Sequence, residues 1–146
     1  MGAEQSQLQQ DAPEFGQDYI SFFVNGKEHN VKTDGGDPEI GPQYLLVDYL
    51  RDKIGLTGTK YMCREGGCGS CMVTIRSTHP ASGREILRSA NSCLLPLFAC
   101  DGFDITTIER LGNRKVGYHP IQDRLVKFGG TQVPNVKLSF KFTTVE

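Results

Sequence analysis

Four cysteines carry the chemistry of this chain. They stand as Cys63-x4-Cys68-x2-Cys71-x21-Cys93, and four thiolates can hold either a zinc ion or a [2Fe–2S] cluster. Their number alone decides nothing, but their spacing does better. Structural zinc sites build from two short cysteine knuckles on either side of a spacer. Here three candidate ligands fall within nine residues and the fourth comes from a distant segment, which is the plant-type [2Fe–2S] spacing.

The residues between the ligands point the same way. Cys63-Arg64-Glu65-Gly66-Gly67-Cys68-Gly69-Ser70-Cys71 threads three glycines, Gly66, Gly67 and Gly69, among the cysteines. A loop wrapped closely around an anionic cluster needs positive φ angles, close backbone approach and N–H groups aimed at sulfur, and glycine permits all three. Such contacts also stabilise the added electron, so the loop is expected to tune a potential near about −400 mV. Cys100 is left over and is expected to be buried packing. Gly55-Leu56-Thr57-Gly58-Thr59-Lys60 lacks the residue order of a phosphate loop and precedes no helix. Lys60 and its threonines are expected to shape the approach to the cysteines. His29, His79 and His119 are scattered and form no triad. Arg110, Arg114, Lys115, Arg124 and Lys127 read as a solvated face or docking rim.

Composition sets the limits. In 146 residues, 38% are hydrophobic and 23% charged, with a net charge of −1. That is the profile of a globular chain with no call for nucleic acid or an anionic membrane. The longest apolar run, Leu94 to Cys100, is too short to span a bilayer. Without an export signal the cysteines are expected to stay reduced, and the chain to be cytoplasmic. Gly2 fits the loose N-myristoylation pattern, yet no Lys or Arg precedes Lys27 to support a single acyl chain, so an unmodified tail is the expectation.

Certain elements must hold these cysteines in place. Residues 1–17 are polar and read as a disordered tail. Tyr19 to Val24 and Lys27 to Lys32 read as strands joined by an Asn25-Gly26 turn, followed by a loop from Thr33 to Pro42. Leu46, Leu50 and Ile54, with Val47 beside them, make one helical stripe ending at a Gly55 cap. Cys71 to Arg76 reads as a strand, with Met72 and Thr74 on one face and Val73 and Ile75 on the other. Ser77 to Arg84 reads as a polar connection, Phe103 to Ile108 as a late strand, and Pro120 to Phe128 as a helix with Ile121, Leu125 and Val126 on one side. The sum is an α+β domain, a mixed sheet packed on one main helix.

Four blocks in order resemble one family. They are Gly55 to Lys60, Cys63-x-Glu-Gly-Gly-Cys-Gly-x-Cys71, Asn91-x-Cys-Leu-x-Pro96 and Ile105-Thr-Thr-Ile-Glu109. Over about residues 19–132 the chain resembles the N-terminal [2Fe–2S] domain of xanthine dehydrogenases and aldehyde oxidases, the molybdenum hydroxylases. The resemblance implies a β-grasp, ferredoxin-like fold over residues 18–112. It implies one [2Fe–2S] cluster that relays electrons from molybdopterin toward FAD, both carried by partner domains or subunits, with no bond chemistry in this domain. Residues 113–132 resemble the start of the family's helical second Fe–S domain. There the family continues Cys-Gly-x-Cys-Thr-Pro-Gly, whereas this chain reads Val133-Pro134-Asn135-Val136 and then residues of no family pattern to Glu146. Only one cluster is therefore expected, in a truncated product of such an enzyme or in a small separate carrier. The readings left open are a non-redox module or decoy that dimerises with a full-length relative, and a zinc-bound structural domain.

Overall fold

Alternation in the first strand pair carries directly into structure. The computed structural model describes residues 18–34 and 36–128, so the N-terminal tail, Gly2 and the segment from 129 onward lie outside it. Strand β1 (Tyr19–Val24) turns at Asn25 and Gly26 into β2 (Lys27–Lys32). Both turn residues take positive φ, 54° and 83°, the conformation whose twist matches paired antiparallel strands. Ile20, Phe22 and Val24 point inward.

The main helix is shorter and wider than its stripe suggests. One α-helical turn, α1 (Leu46–Asp48), runs straight into a π-helical turn, Tyr49–Lys53. The Ile54 N–H reaches back to Tyr49 O at 3.2 Å and Leu56 N–H to Leu50 O at 2.7 Å. Gly55 then ends the helix at φ 74°, as its position predicts. Leu46, Val47 and Leu50 are fully buried. The widened turn keeps this apolar face on the sheet while rotating the residues after it by a fraction of a turn.

Strand β3 (Met72–Thr78) extends two residues beyond its sequence reading, and its partner β4 (Glu85–Asn91) lies where no strand is read. Glu85-Ile86-Leu87-Arg88-Ser89-Ala90-Asn91 shows no apolar alternation because it is an edge strand with little to bury. The last strand, β5 (Asp104–Thr106), stops short of Ile108, which instead opens the short helix α2 (Ile108–Leu111). The sheet order is β2-β1-β5-β3-β4, with β1 parallel to β5 and all other pairs antiparallel. Phe22, Ile75, Leu97 and Ile105 fill the space under the helix. This is the mixed-sheet α+β architecture, of ferredoxin-like type.

Helix α3 (Pro120–Lys127) opens at Pro120 as its sequence suggests and carries a capping box. His119 Nδ1 accepts from Ile121 N–H at 3.3 Å, and Gln122 Oε1 accepts from His119 N–H at 2.9 Å. None of its residues is buried, so the Ile121, Leu125 and Val126 side packs no core.

His29 sits in the sheet's outer layer, stacked on Phe22 and 3.1 Å from the Tyr49 hydroxyl. Burial, helped by Lys27, holds its pKa below the ordinary 6.5. The neutral form is favoured in the fold, so this contribution is complete above pH 6.5 and is lost as pH falls through the lower folded value. Thermal midpoints of the wild type should therefore fall more between pH 7.5 and 5.5 than those of His29→Phe, by about 1–2 °C. Parallel pH profiles would refute the linkage.

Candidate metal centre

The cysteine loop is held from two sides. From the helix side, α1 begins with amide groups that have no partner within the helix. Leu46 N–H donates to Leu95 O at 2.9 Å and Val47 N–H to Ser92 O at 3.1 Å, so the helix start grips the segment that carries Cys93. From the sheet side, the β3–β4 register pairs Met72 with Asn91, which returns the chain to the loop just before Cys93. Ser92 then locks the join, its N–H and Oγ both donating to Cys71 O, at 3.2 and 2.7 Å.

The four cysteines form two pairs. Cys63 and Cys68 have their sulfurs 3.4 Å apart, and both are partly exposed. Cys71 and Cys93 are buried at 1% exposure each and packed with Val47. Every cysteine in the structure is a free thiol. Among the described residues, no group of three or more His, Cys, Asp or Glu is placed to hold a single metal ion. A single ion gathers its ligands around one point, whereas a binuclear core takes them as two pairs. Four thiolates in a partly exposed pair and a buried pair are a donor set that fits a [2Fe–2S] cluster.

The two pairs differ electrostatically. Cys68 is drawn down to about 6 by the Ser70 hydroxyl first, then by the Ser70 and Cys63 backbone N–H groups. Cys68 N–H itself reaches Cys63 Sγ at 3.4 Å. Cys71 is pushed up to about 11, chiefly by burial. Cys100 goes to about 12 by burial alone and lies in the main core, its thiol toward Pro96 O at 3.6 Å. The fifth cysteine is packing, as its sequence position suggests.

The glycines divide unequally. Gly66 and Gly69 take positive φ, 77° and 67°. A Cβ on Gly66 would also lie 2.6 Å from Leu94 Cδ1. Gly67 has no positive φ, and the nearest protein atom to a Cβ there would be Glu65 Oε1 at 3.8 Å. Arg64 supplies the remaining left-handed turn at φ 55°, tied down by Asp48 at 2.7 Å and lying over the Tyr61 ring at 4.3 Å. Among the described residues, Cys68 N–H meets Cys63 Sγ at 3.4 Å.

The contacts by which Asn91, Arg51, Lys60 and Glu109 hold the site are not read from the sequence. Asn91 spans the site, its Nδ2 on Gly66 O at 3.4 Å and its Oδ1 3.7 Å from Cys71 Sγ. Arg51 donates to Thr57 O and Thr59 O at 3.0 and 2.8 Å, and Lys60 N–H holds Ser70 O at 3.2 Å. Glu109 accepts from Gly58 N–H and from the Thr107 hydroxyl, both at 2.6 Å. The Asn91 and Glu109 blocks are visible as sequence patterns, but their partners are 25 and 51 residues away, beyond any local signal. His79 and His119 only accept backbone N–H groups.

Comparison with known proteins decides the family. Residues 22–100 match the 2Fe-2S iron-sulfur cluster binding domain family. The chain belongs to that family. Its function is [2Fe–2S] cluster binding and electron transfer. The [2Fe–2S] chain is 42% identical to xanthine dehydrogenase/oxidase of Gallus gallus over 120 residues, and 44% identical to aldehyde oxidase 3 of Mus musculus over 115. These alignments cover 82% and 79% of this chain but only 8% of either relative. Among solved structures it resembles the aldehyde oxidoreductase of Desulfovibrio gigas, with TM-score 0.62 and 30% identity, over 86% of this chain and 13% of that one. It also resembles quinoline 2-oxidoreductase of Pseudomonas putida 86, with TM-score 0.59 and 30% identity, over 79% of this chain and 60% of that one. No helix among the described residues is long and apolar enough to cross a membrane.

Proposed function

We propose that Cys63, Cys68, Cys71 and Cys93 hold the [2Fe–2S] cluster, the partly exposed pair on one iron and the buried pair on the other, within a domain of residues 18–112. The observation that carries this reading is the pairing itself, one pair buried and one at the surface. When bound, the cluster supplies one-electron reduction and reoxidation without bond rearrangement of a substrate. The chain's own residues do the rest. Cys71 and Cys93, walled by Val47, exclude water from the inner side. The backbone donors around Cys63 and Cys68 accommodate negative charge on the outer side. Tyr61, Met62 and Leu94 lie exposed beside the outer pair and offer a seat for partner domains or subunits carrying FAD and molybdopterin, in an oxidoreductase of the xanthine dehydrogenase or aldehyde oxidase type. Residues 113–128, ending in the uncovered helix α3, begin a separate segment.

The test is iron and sulfide analysis with EPR on the anaerobically reduced chain. Equal iron and sulfide in the ratio of a [2Fe–2S] centre, with a rhombic signal after one-electron reduction, is the expected result. Zinc in place of iron, or a folded chain that takes up no metal, would replace electron transfer with a structural or interaction role.

A further inference from the structure

We propose that the Ser70 hydroxyl is a positioning donor that raises the reduction potential of this chain's cluster by hydrogen-bonding to Cys68. This rests on the reading of Cys68 as a ligand. Ser70 Oγ lies 3.1 Å from Cys68 Sγ. Between a free thiol and a hydroxyl either atom can donate, but a metal-bound thiolate has no proton, so the hydroxyl must. Among the described residues, Ser70 Oγ has no other hydrogen-bond partner.

Two features make this contact consequential. Ser70 is only 6% exposed, so water cannot take the hydroxyl's place if it is removed. Its carbonyl is pinned by Lys60 N–H at 3.2 Å and it stands directly before buried Cys71, so its position is fixed. The other donors to the outer pair are backbone amides, the Cys68 N–H on Cys63 Sγ at 3.4 Å among them. Those come with any sequence that adopts this loop, whereas the hydroxyl comes only with the residue at position 70. It is the one side-chain donor the structure places on the outer sulfurs among the described residues.

One-electron reduction adds a unit of negative charge to the site. No bond of Ser70 breaks and no proton leaves it; its existing O–H bond simply meets a more negative sulfur, and hydrogen bonds strengthen with acceptor charge. The reduced form gains more from Ser70 than the oxidised form does, which raises the potential.

The experiment compares the wild-type chain, Ser70→Ala and Ser70→Thr, all cluster-loaded, by EPR-monitored redox titration with dithionite as the electron donor. Ser70→Ala should lower the midpoint by about 59 mV, a tenfold change in the one-electron equilibrium. Ser70→Thr, which keeps the hydroxyl, should stay within about a third of that shift. Resonance Raman spectra in D2O should show a smaller deuterium effect on the Fe–S(Cys) stretches of Ser70→Ala than of wild type. If alanine prevents loading, Ser70→Gly removes the same hydroxyl and should show the same fall. A fully loaded Ser70→Ala or Ser70→Gly whose equilibrium moves less than about twofold overturns the proposal. A wrong ligand assignment would appear differently, as a Cys68→Ala chain that still assembles its cluster.

Discussion

Cys93→Ala should abolish the cluster, leaving iron and sulfide below about a tenth of the wild-type content, while Cys100→Ala keeps both. The contrast is informative because both thiols are buried, at 1% and 0% exposure, and they stand only seven positions apart. Cys93 faces Cys71 beneath Val47. Cys100 faces the main core and reaches no sulfur, its one hydrogen bond going to Pro96 O. Truncating Cys100 should cost about 1 kcal/mol in packing and leave the visible absorption and EPR spectra unchanged. Removing Cys93 strands Cys71 without its partner in a dry pocket, and the outer pair alone cannot complete a four-thiolate site. Metal analysis beside circular dichroism checks both variants. A Cys93→Ala chain with full iron, or a Cys100→Ala chain with none, would require a different fourth ligand.

Glu109→Ala should lower stability by about 2–4 kcal/mol, since it removes two charge-assisted hydrogen bonds at once. One carboxylate oxygen holds Gly58 N–H and the other holds the Thr107 hydroxyl. Thr107 is fully buried and is tied in turn to Asn25, Oγ1 accepting from Nδ2 at 2.8 Å and N–H donating to Oδ1 at 2.9 Å. The substitution therefore frees the approach to the cysteine loop, the exit from β5 and the first hairpin together. A drop of about 10 °C in Tm is expected. Glu109→Gln, which retains one acceptor oxygen, should lose about half as much. A Tm change under about 2 °C for Glu109→Ala would show that the clasp is replaced by water. The closeness of this contact also explains Gly58, where a Cβ would lie 2.5 Å from Glu109 Oε1 and 2.7 Å from Ile108 Cγ2.

The hairpin, the Gly55 stop and the cysteine constellation were legible because each depends on residues close together in sequence. Asn25-Gly26 needs only its own φ angles, and three of the four cysteines share one loop. Strand β4 was not legible, since its partner supplies its order and its side chains have no core to mark them. The π turn was hidden for a related reason: Leu46 and Leu50 satisfy an α-helical period equally well, and only the sheet beneath selects the wider turn. The proposed ligands are readable as a set of cysteines, while the residues that hold the set, Asn91, Ser92 and Glu109, act across distances no local pattern reports.

The grip of the helix start on the Ser92 and Leu95 carbonyls has a consequence for the order of assembly. Three cysteines can meet through a short, entropically cheap closure, but the fourth joins only when a chain segment about forty residues beyond the helix returns to it, a slower event. During synthesis, the buried half of the metal site stays open until residues through Leu95 are available. Metal delivered earlier meets three thiols and no lid. If these four cysteines are the ligands, as proposed, maturation of the centre is timed by the return of an edge strand, and a variant that weakens β4 should slow cofactor acquisition even with every ligand intact.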